Sequence, residues 1–252
     1  MNSTQTLSPG RWVDKTTDRW FYSGMAVVFI LIAIVSFAPS IVNPQHRLGA
    51  WTWVAAAHGI VFFAWLLLFL VQTLLIQTGR VAVHRTLGAA SMFFAAAMVV
   101  LGYIATIEMT RRGFDLSGDL GVQTDPLGPV GRIIFPLLDL FEFGILVTVG
   151  YWFRRRPDIH KRLMLFAVVV MMPAPFAHFI GHSPALRTHG AVVILPVAIS
   201  LAASGIYDFI RFRKIHPVSL WLGIALFVID NLCAVVIGPS ALWQRFAGWL
   251  VS

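Results

Sequence analysis

Seven long apolar stretches, separated by short polar connections, occupy almost the whole of this 252-residue chain. A helix needs about 20 apolar residues to cross a hydrocarbon core of about 30 Å, and there it satisfies its own backbone hydrogen bonds. Hydrophobic residues make up 58% of the chain, which excludes a soluble domain of this length. The sequence therefore predicts an all-α polytopic transmembrane bundle with seven spans: Trp20–Ile41, Ala50–Ile76, Leu87–Ile107, Val130–Trp152, Arg162–Ile180, Ala191–Ile210 and Val218–Ile237.

The distribution of positive charge predicts the orientation of these spans. Most of the 19 basic residues fall on one side of the membrane: Arg11, Lys15, Arg19, Arg80, Arg85, Arg154, Arg155, Arg156, Lys161, Arg162, Arg211, Arg213 and Lys214. Basic loops remain in the cytoplasm, so the N-terminus is expected inside and the C-terminus outside. The net charge of +8 thus indicates topology and contact with membrane lipids rather than nucleic acid. We expect a multi-pass protein of the bacterial inner membrane.

The chain divides into three parts on this interpretation. Residues 1–19 form a cytoplasmic segment, residues 20–238 form the seven-helix domain, and residues 239–252 form a tail on the outer surface. In the tail, Leu242, Phe246, Trp249 and Leu250 share one helical face, which is typical of an amphipathic helix lying on lipid. The long outer loop from Thr110 to Gly128 is either a lid over an outer cavity or a plain solvated connection.

Histidines lie inside two predicted spans and beside the starts of two others. His58 in the second span and His178 in the fifth both lie toward the outer side, whereas His84 and His160 lie toward the cytoplasm. Neutral imidazole is an axial ligand of haem iron, and facing helices can supply one ring each. The pattern favours haem b between His58 and His178, with His84 and His160 as an inner pair. The alternative for the inner pair is hydrogen bonding to backbone or to lipid head groups.

The same outer residues also allow a zinc site. His178 and His182 are four residues apart on one helical face, and His58 would complete a three-histidine set with an open fourth position. His189 lies nearby in the sequence, and Glu108 would supply a base. A membrane-embedded zinc enzyme acting on a lipid-like substrate is therefore one alternative function. A cofactor-free accessory subunit of a larger membrane complex is another.

Acidic residues inside the apolar stretches form a second set of candidates. Glu108, Asp139, Glu142 and Asp230 all lie within or at the end of predicted spans. Ionisable groups in a membrane usually face the bundle interior and mark proton or ion routes. We predict a proton or ion path through these four residues, with interhelical hydrogen bonding as the alternative.

Several short motifs together resemble an uncharacterised family of bacterial seven-helix membrane proteins. They are His58-Gly59, Gln72, Gly79-Arg80, His84-Arg85-Thr86-Leu87-Gly88 and Asp158-Ile159-His160-Lys161-Arg162-Leu163-Met164. The His-Arg-x-Leu-Gly opening with histidines in neighbouring spans is similar, more loosely, to the ascorbate-dependent transmembrane cytochromes b, whose four-helix core binds two b haems through two histidine pairs.

Taken with the histidine positions, the sequence favours a haem-b redox protein that exchanges electrons with a quinone pool or with a redox partner protein. The zinc-dependent seven-helix receptors and ceramidases share the predicted topology, but they place their His-x-x-x-His in the last helix rather than the fifth.

Overall fold

The described part of the chain is folded into helices. The computed structural model describes residues 17–113, 115–118, 127–181 and 194–252. Within these ranges there is no strand, and seven helical spans are long and apolar enough to cross a membrane. The predicted all-α, multi-pass membrane fold is confirmed. The elements are α1 (Thr17–Val42), α2 (Trp53–Gln77), α3 (Val81–Arg112), α4 (Gly128–Gly131), α5 (Ile134–Trp152), α6 (Pro157–Val169), α7 (Pro173–Gly181), α8 (Ile194–Phe212), α9 (Gly223–Leu232) and α10 (Ala241–Val251), with a 3-10 turn at Pro44–His46 and π-helical segments at Val218–Leu222 and Cys233–Ile237.

The fifth span is broken, contrary to the prediction of one continuous helix. Helix α6 ends at Val169 and α7 begins at Pro173. Proline has no backbone N–H and disfavours a helical conformation in the residue before it, so the helix cannot run through this point unaltered. The break separates two segments within one membrane crossing, and the second of them carries His178.

The start of the fifth span also differs from the prediction. Helix α6 begins at Pro157, because proline is well suited to the first helical position, where an N–H has no helical partner. Arg162, predicted to lie at the start of the span beside a cytoplasmic loop, is therefore inside the helix, and its side chain is fully buried. Similarly, α3 begins at Val81 rather than Leu87 because His84 and Arg85 interrupt the apolar pattern without interrupting the helix.

The fifth span lies at the centre of the bundle. In its most apolar stretch 67% of the residues are buried, against 17% to 44% in the other spans. Helix α1 packs on α2 and α7, and α5 packs on α3 and α6. We call the end of the bundle with the α1–α2 connection the Trp51 end, and the end with the α5–α6 connection the Arg156 end.

The C-terminal helix α10 docks on the bundle near α3 and α4. The indole N–H of Trp243 donates a hydrogen bond to the Gly131 carbonyl (3.0 Å), and Ala247 is fully buried. Leu242 and Trp249, two residues of the predicted lipid-facing stripe, are exposed. The predicted N-terminal segment 1–19 lies mostly outside the described residues.

Candidate functional site

A cavity of about 620 Å³ lies among α1, α2, α3, α5 and α7 toward the Trp51 end. Most of its lining is apolar or aromatic, including Phe37, Phe62, Phe63, Met98 and Met172. This volume is within the range of roughly 300–1,000 Å³ that is usual for small-molecule and cofactor sites. Among the described residues that line the cavity there is no lysine or arginine.

His58 lines the cavity from α2. Its ring stacks on Phe62 with 4.0 Å between the ring centroids. The Nδ1 atom of His58 is enclosed and has no hydrogen-bond partner among the described residues. Burying a polar ring atom without a partner costs free energy, so this imidazole is unexplained by packing alone.

His178 lines the same cavity from α7. Its ring packs against Phe37 with 4.6 Å between the ring centroids. The Nε2 atom of His178 lies 3.4 Å from a carboxylate oxygen of Asp115 and 3.4 Å from the hydroxyl of Ser117. A carboxylate beside the imidazole is the arrangement that orients histidine ligands at metal centres. The structure thus brings together the outer pair that the sequence predicted.

The segment 115–118 closes the Trp51 end of the cavity. Asp115 and Ser117 are among the lining residues, and the Trp51 indole N–H donates to the Ser117 carbonyl (3.0 Å). Gly118 has a positive φ of 80°, and a Cβ atom there would lie 3.1 Å from the Gly49 carbonyl oxygen. Only glycine fits this turn without strain. The described part of the long loop therefore contributes to the cavity wall, whereas residues 114 and 119–126 of the loop lie outside the described ranges.

The predicted inner pair also meets in the structure. The rings of His84 and His160 have centroids 6.2 Å apart and stand almost perpendicular, at 79°. His160 Nδ1 lies 2.8 Å from the Gly150 carbonyl, to which its N–H form donates. The Gln72 amide, with its oxygen and nitrogen assigned by the surrounding hydrogen bonds, donates to His84 Nδ1 (2.6 Å). Neither ring lines the cavity, so the two pairs are separate sites.

The zinc prediction is only partly covered by the described residues. His182 and His189 lie outside them. Within the described ranges, no three His, Cys, Asp or Glu residues are arranged to hold a metal ion. Glu108 accepts hydrogen bonds from the Thr52 hydroxyl and from Arg112, and it does not line the cavity.

The remaining predicted acids lie in and beside the cavity wall. Asp139 lines the cavity. Glu142 is buried in α5, and neither of its carboxylate oxygens has a hydrogen-bond partner in the described structure. Asp230, in α9, is close enough to interact electrostatically with both. Three of the four predicted path residues therefore lie together, and Glu108 is separate from them.

A buried ion-pair network at the Arg156 end was missed by the sequence reasoning. Arg162 donates to both carboxylate oxygens of Asp208, and both side chains are completely enclosed. His216 lies beside this pair, and its Nδ1 accepts from the Val218 N–H (3.1 Å). Burial, assisted by the positive charge of Arg162, lowers the pKa of His216 below its ordinary value. The sequence did contain a signal for this network, because one arginine and one aspartate lie at the ends of apolar spans that meet at the same end of the bundle.

The cavity combines an imidazole from each of two helices, an apolar wall and a carboxylate that faces one imidazole. Such an arrangement is suited to axial ligation of an iron porphyrin or to binding the polar head of an apolar molecule. No family model, curated protein or solved structure matches the chain.

Proposed function

We propose that this protein is a membrane redox protein that binds haem b in the cavity, with His58 and His178 as axial ligands. The observation that carries the proposal is that these two histidines, from different helices, line one apolar cavity of about 620 Å³. When bound, haem supplies one-electron redox chemistry. The protein supplies the two imidazoles, the apolar surroundings and the Asp115 carboxylate beside His178.

The Trp51 end also offers positive charge for the haem propionates. Arg47 Nε donates to the Ser40 carbonyl (2.5 Å), and the Arg47 guanidinium lies 4.3 Å from the Trp51 ring centroid. Ser40 and Trp51 both line the cavity, so Arg47 lies at its mouth. A guanidinium binds carboxylates through charge-assisted hydrogen bonds. The propionates would therefore face the membrane surface at this end.

The inner pair supports a second iron site in the same proposal. His84 and His160, whose ring centroids are 6.2 Å apart, would be the residues that hold the iron of this second site. The backbone and Gln72 contacts of their Nδ1 atoms leave Nε2 of each ring for a metal. Two redox centres at opposite bundle ends would pass electrons across the bacterial inner membrane, with the Trp51 end outside.

A membrane-dissolved quinone is the favoured electron-exchange partner. Ile34, Ile41 and Ile60 line the cavity and have large exposed fractions, and we infer that part of each faces outward from the bundle surface. In a bilayer that surface meets acyl chains, so an isoprenoid molecule can approach the cavity sideways. The same observation favours a second candidate function, in which a quinone or another lipid-like molecule occupies the cavity itself.

The visible spectrum of the purified protein, made with ample haem supply, tests the proposal. We expect a Soret band and a low-spin reduced spectrum. His58→Ala and His178→Ala should each remove the outer haem signal, and the double variant should remove no more than either single variant. Added imidazole should restore the low-spin signal of the alanine variants by filling the vacated position.

Phe62→Leu is the matched control, because it changes a cavity residue stacked on His58 without removing a ligand. His84→Ala and His160→Ala should remove only a second, spectrally distinct haem. A colourless wild-type protein would refute haem binding. Stoichiometric zinc in that protein would support the zinc enzyme, and bound quinone would support the second candidate.

A further inference from the structure

Glu142 is an unusual group for the interior of a membrane protein. Its side chain is 6% exposed, and neither carboxylate oxygen has a hydrogen-bond partner in the described part of the chain. The ionisable groups that act on it there are acids or thiols: Asp139 on its own helix, and Asp230 and Cys233 in the seventh span. An ionised carboxylate without a hydrogen bond or counter-charge is far costlier to bury than the neutral acid.

Asp139 connects this group to the cavity. It lies three residues before Glu142 on the same face of α5, and its own side chain lines the cavity. On the other side, α5 packs against the π-helical segment Cys233–Ile237, which follows Asp230. π-Helical segments inside helices occur frequently at functional sites. Ionisable side chains thus run from the cavity wall through Glu142 to the seventh span.

We propose that Glu142 stores a proton and exchanges it with the cavity through Asp139. In this step Asp139 releases its proton into the cavity, and the Glu142 carboxylic acid then gives its proton to the Asp139 carboxylate so formed, directly or through one water. The same steps in reverse return a proton from the cavity to Glu142. A purely structural role for Glu142 is disfavoured, because its carboxylate forms no hydrogen bond to another helix within the described residues.

The use of this proton in redox chemistry rests on the proposed haem site, because proton uptake would compensate the charge of an added electron. The exchange itself does not depend on haem. It is therefore measured on the full-length protein in lipid vesicles before haem is added, so that failure of haem binding and failure of the relay are distinguishable.

Infrared difference spectroscopy in light and heavy water tests the relay. The wild-type protein should show carbonyl bands of buried, protonated carboxylic acids, and Glu142→Gln should remove one of them, the Glu142 band. Glu142→Asp should retain the band at a shifted position. Asp139→Asn should keep the band but slow its hydrogen–deuterium exchange by about 100-fold, the lower range for a positioned proton-transfer group.

Glu108→Gln is the matched control, because Glu108 is bonded to Thr52 and Arg112 away from the cavity lining. It should leave both the band and its exchange unchanged. Circular dichroism identifies any variant that fails to fold. Gln and Asn have nearly the same size and shape as Glu and Asp, so these variants are expected to fold and to remain usable in the test. The proposal is overturned if Glu142→Gln removes no carbonyl band, or if exchange in Asp139→Asn proceeds at the wild-type rate.

Discussion

The buried ion pair at the Arg156 end makes a quantitative prediction about stability. Arg162 and Asp208 are both fully enclosed, and the Arg162 Nε donates to an Asp208 oxygen at 3.1 Å. The same carboxylate accepts from the Ser219 hydroxyl (2.6 Å) and from the His216 backbone N–H (3.2 Å). Asp208→Ala therefore leaves a guanidinium without its counter-charge and two donors without their acceptor.

The expected decrease in the free energy of unfolding follows from the burial of both charges. Removing one partner of a buried pair typically costs about 3–5 kcal/mol. A chain of this size loses roughly 2–4 °C of Tm per kcal/mol, so Asp208→Ala should lower the Tm by roughly 6–20 °C. The double variant Arg162→Met with Asp208→Leu removes both charges and should be less destabilised than the sum of the two single variants.

Thermal unfolding in lipid nanodiscs, followed by circular dichroism, measures these changes. Arg156→Ala is the control, because the Arg156 side chain is half-exposed and its contact with the buried Asp158 is long, at 3.4 Å. It should cost less than Asp208→Ala, since Asp158 keeps a contact with His216 at 3.5 Å. If Asp208→Ala is no less stable than Arg156→Ala, or if the single effects simply add, the ion pair does not hold the helices together as described.

Three further predictions concern pH, the C-terminal helix and topology. Because burial lowers the pKa of His216 below 6.5 in the folded state, its contribution to stability is complete above about pH 6.5 and is lost as the pH falls toward the lowered value. The fall in Tm between pH 8 and pH 5 should thus be smaller in His216→Asn, and an equal fall would refute this. Trp243→Ala should make the segment after Pro239 protease-sensitive, because it removes the bond to Gly131, whereas Trp249→Ala, at an exposed position, should not. A reporter active only outside the cytoplasm should work when fused after Ser252 and fail when inserted at Arg154–Arg156, and the reverse result would invert the orientation.

Hydropathy was sufficient to predict the seven spans because each apolar stretch must be helical in hydrocarbon whatever its neighbours are. It was not sufficient for features that depend on which helices touch. Arg162 was placed at the first position of its span because a charge beside an apolar stretch ordinarily marks its end, yet Asp208, distant in sequence, makes its burial tolerable. The break before Pro173 was readable from the proline itself and was missed because the apolar pattern continues through it.

The candidate site shows the same division between local and long-range information. The pairing of His84 with His160 follows from their equal depth in the third and fifth spans, which run in the same direction, and the shared location of His58 and His178 follows from their depth in the second and fifth spans, which run in opposite directions. The approach of Asp115 to His178 depends on a loop fold that no periodicity encodes. Asp139 and Glu142 were recognised as charged groups in hydrocarbon, but their relation to the cavity required the packing of α5.

The fifth span separates the chemistry at the two ends of the bundle. His160 and Arg162 lie at its Arg156 end, and His178 lies at its Trp51 end. The two histidines are 18 residues apart, which corresponds to about 27 Å at the helical rise of 1.5 Å per residue. Residues 165–170 between them are apolar and almost completely buried. This layer offers no polar group along α6 on which a proton or ion could travel. Under the proposed relay, proton exchange through Asp139 and Glu142 would therefore be confined to the α5 side of this layer.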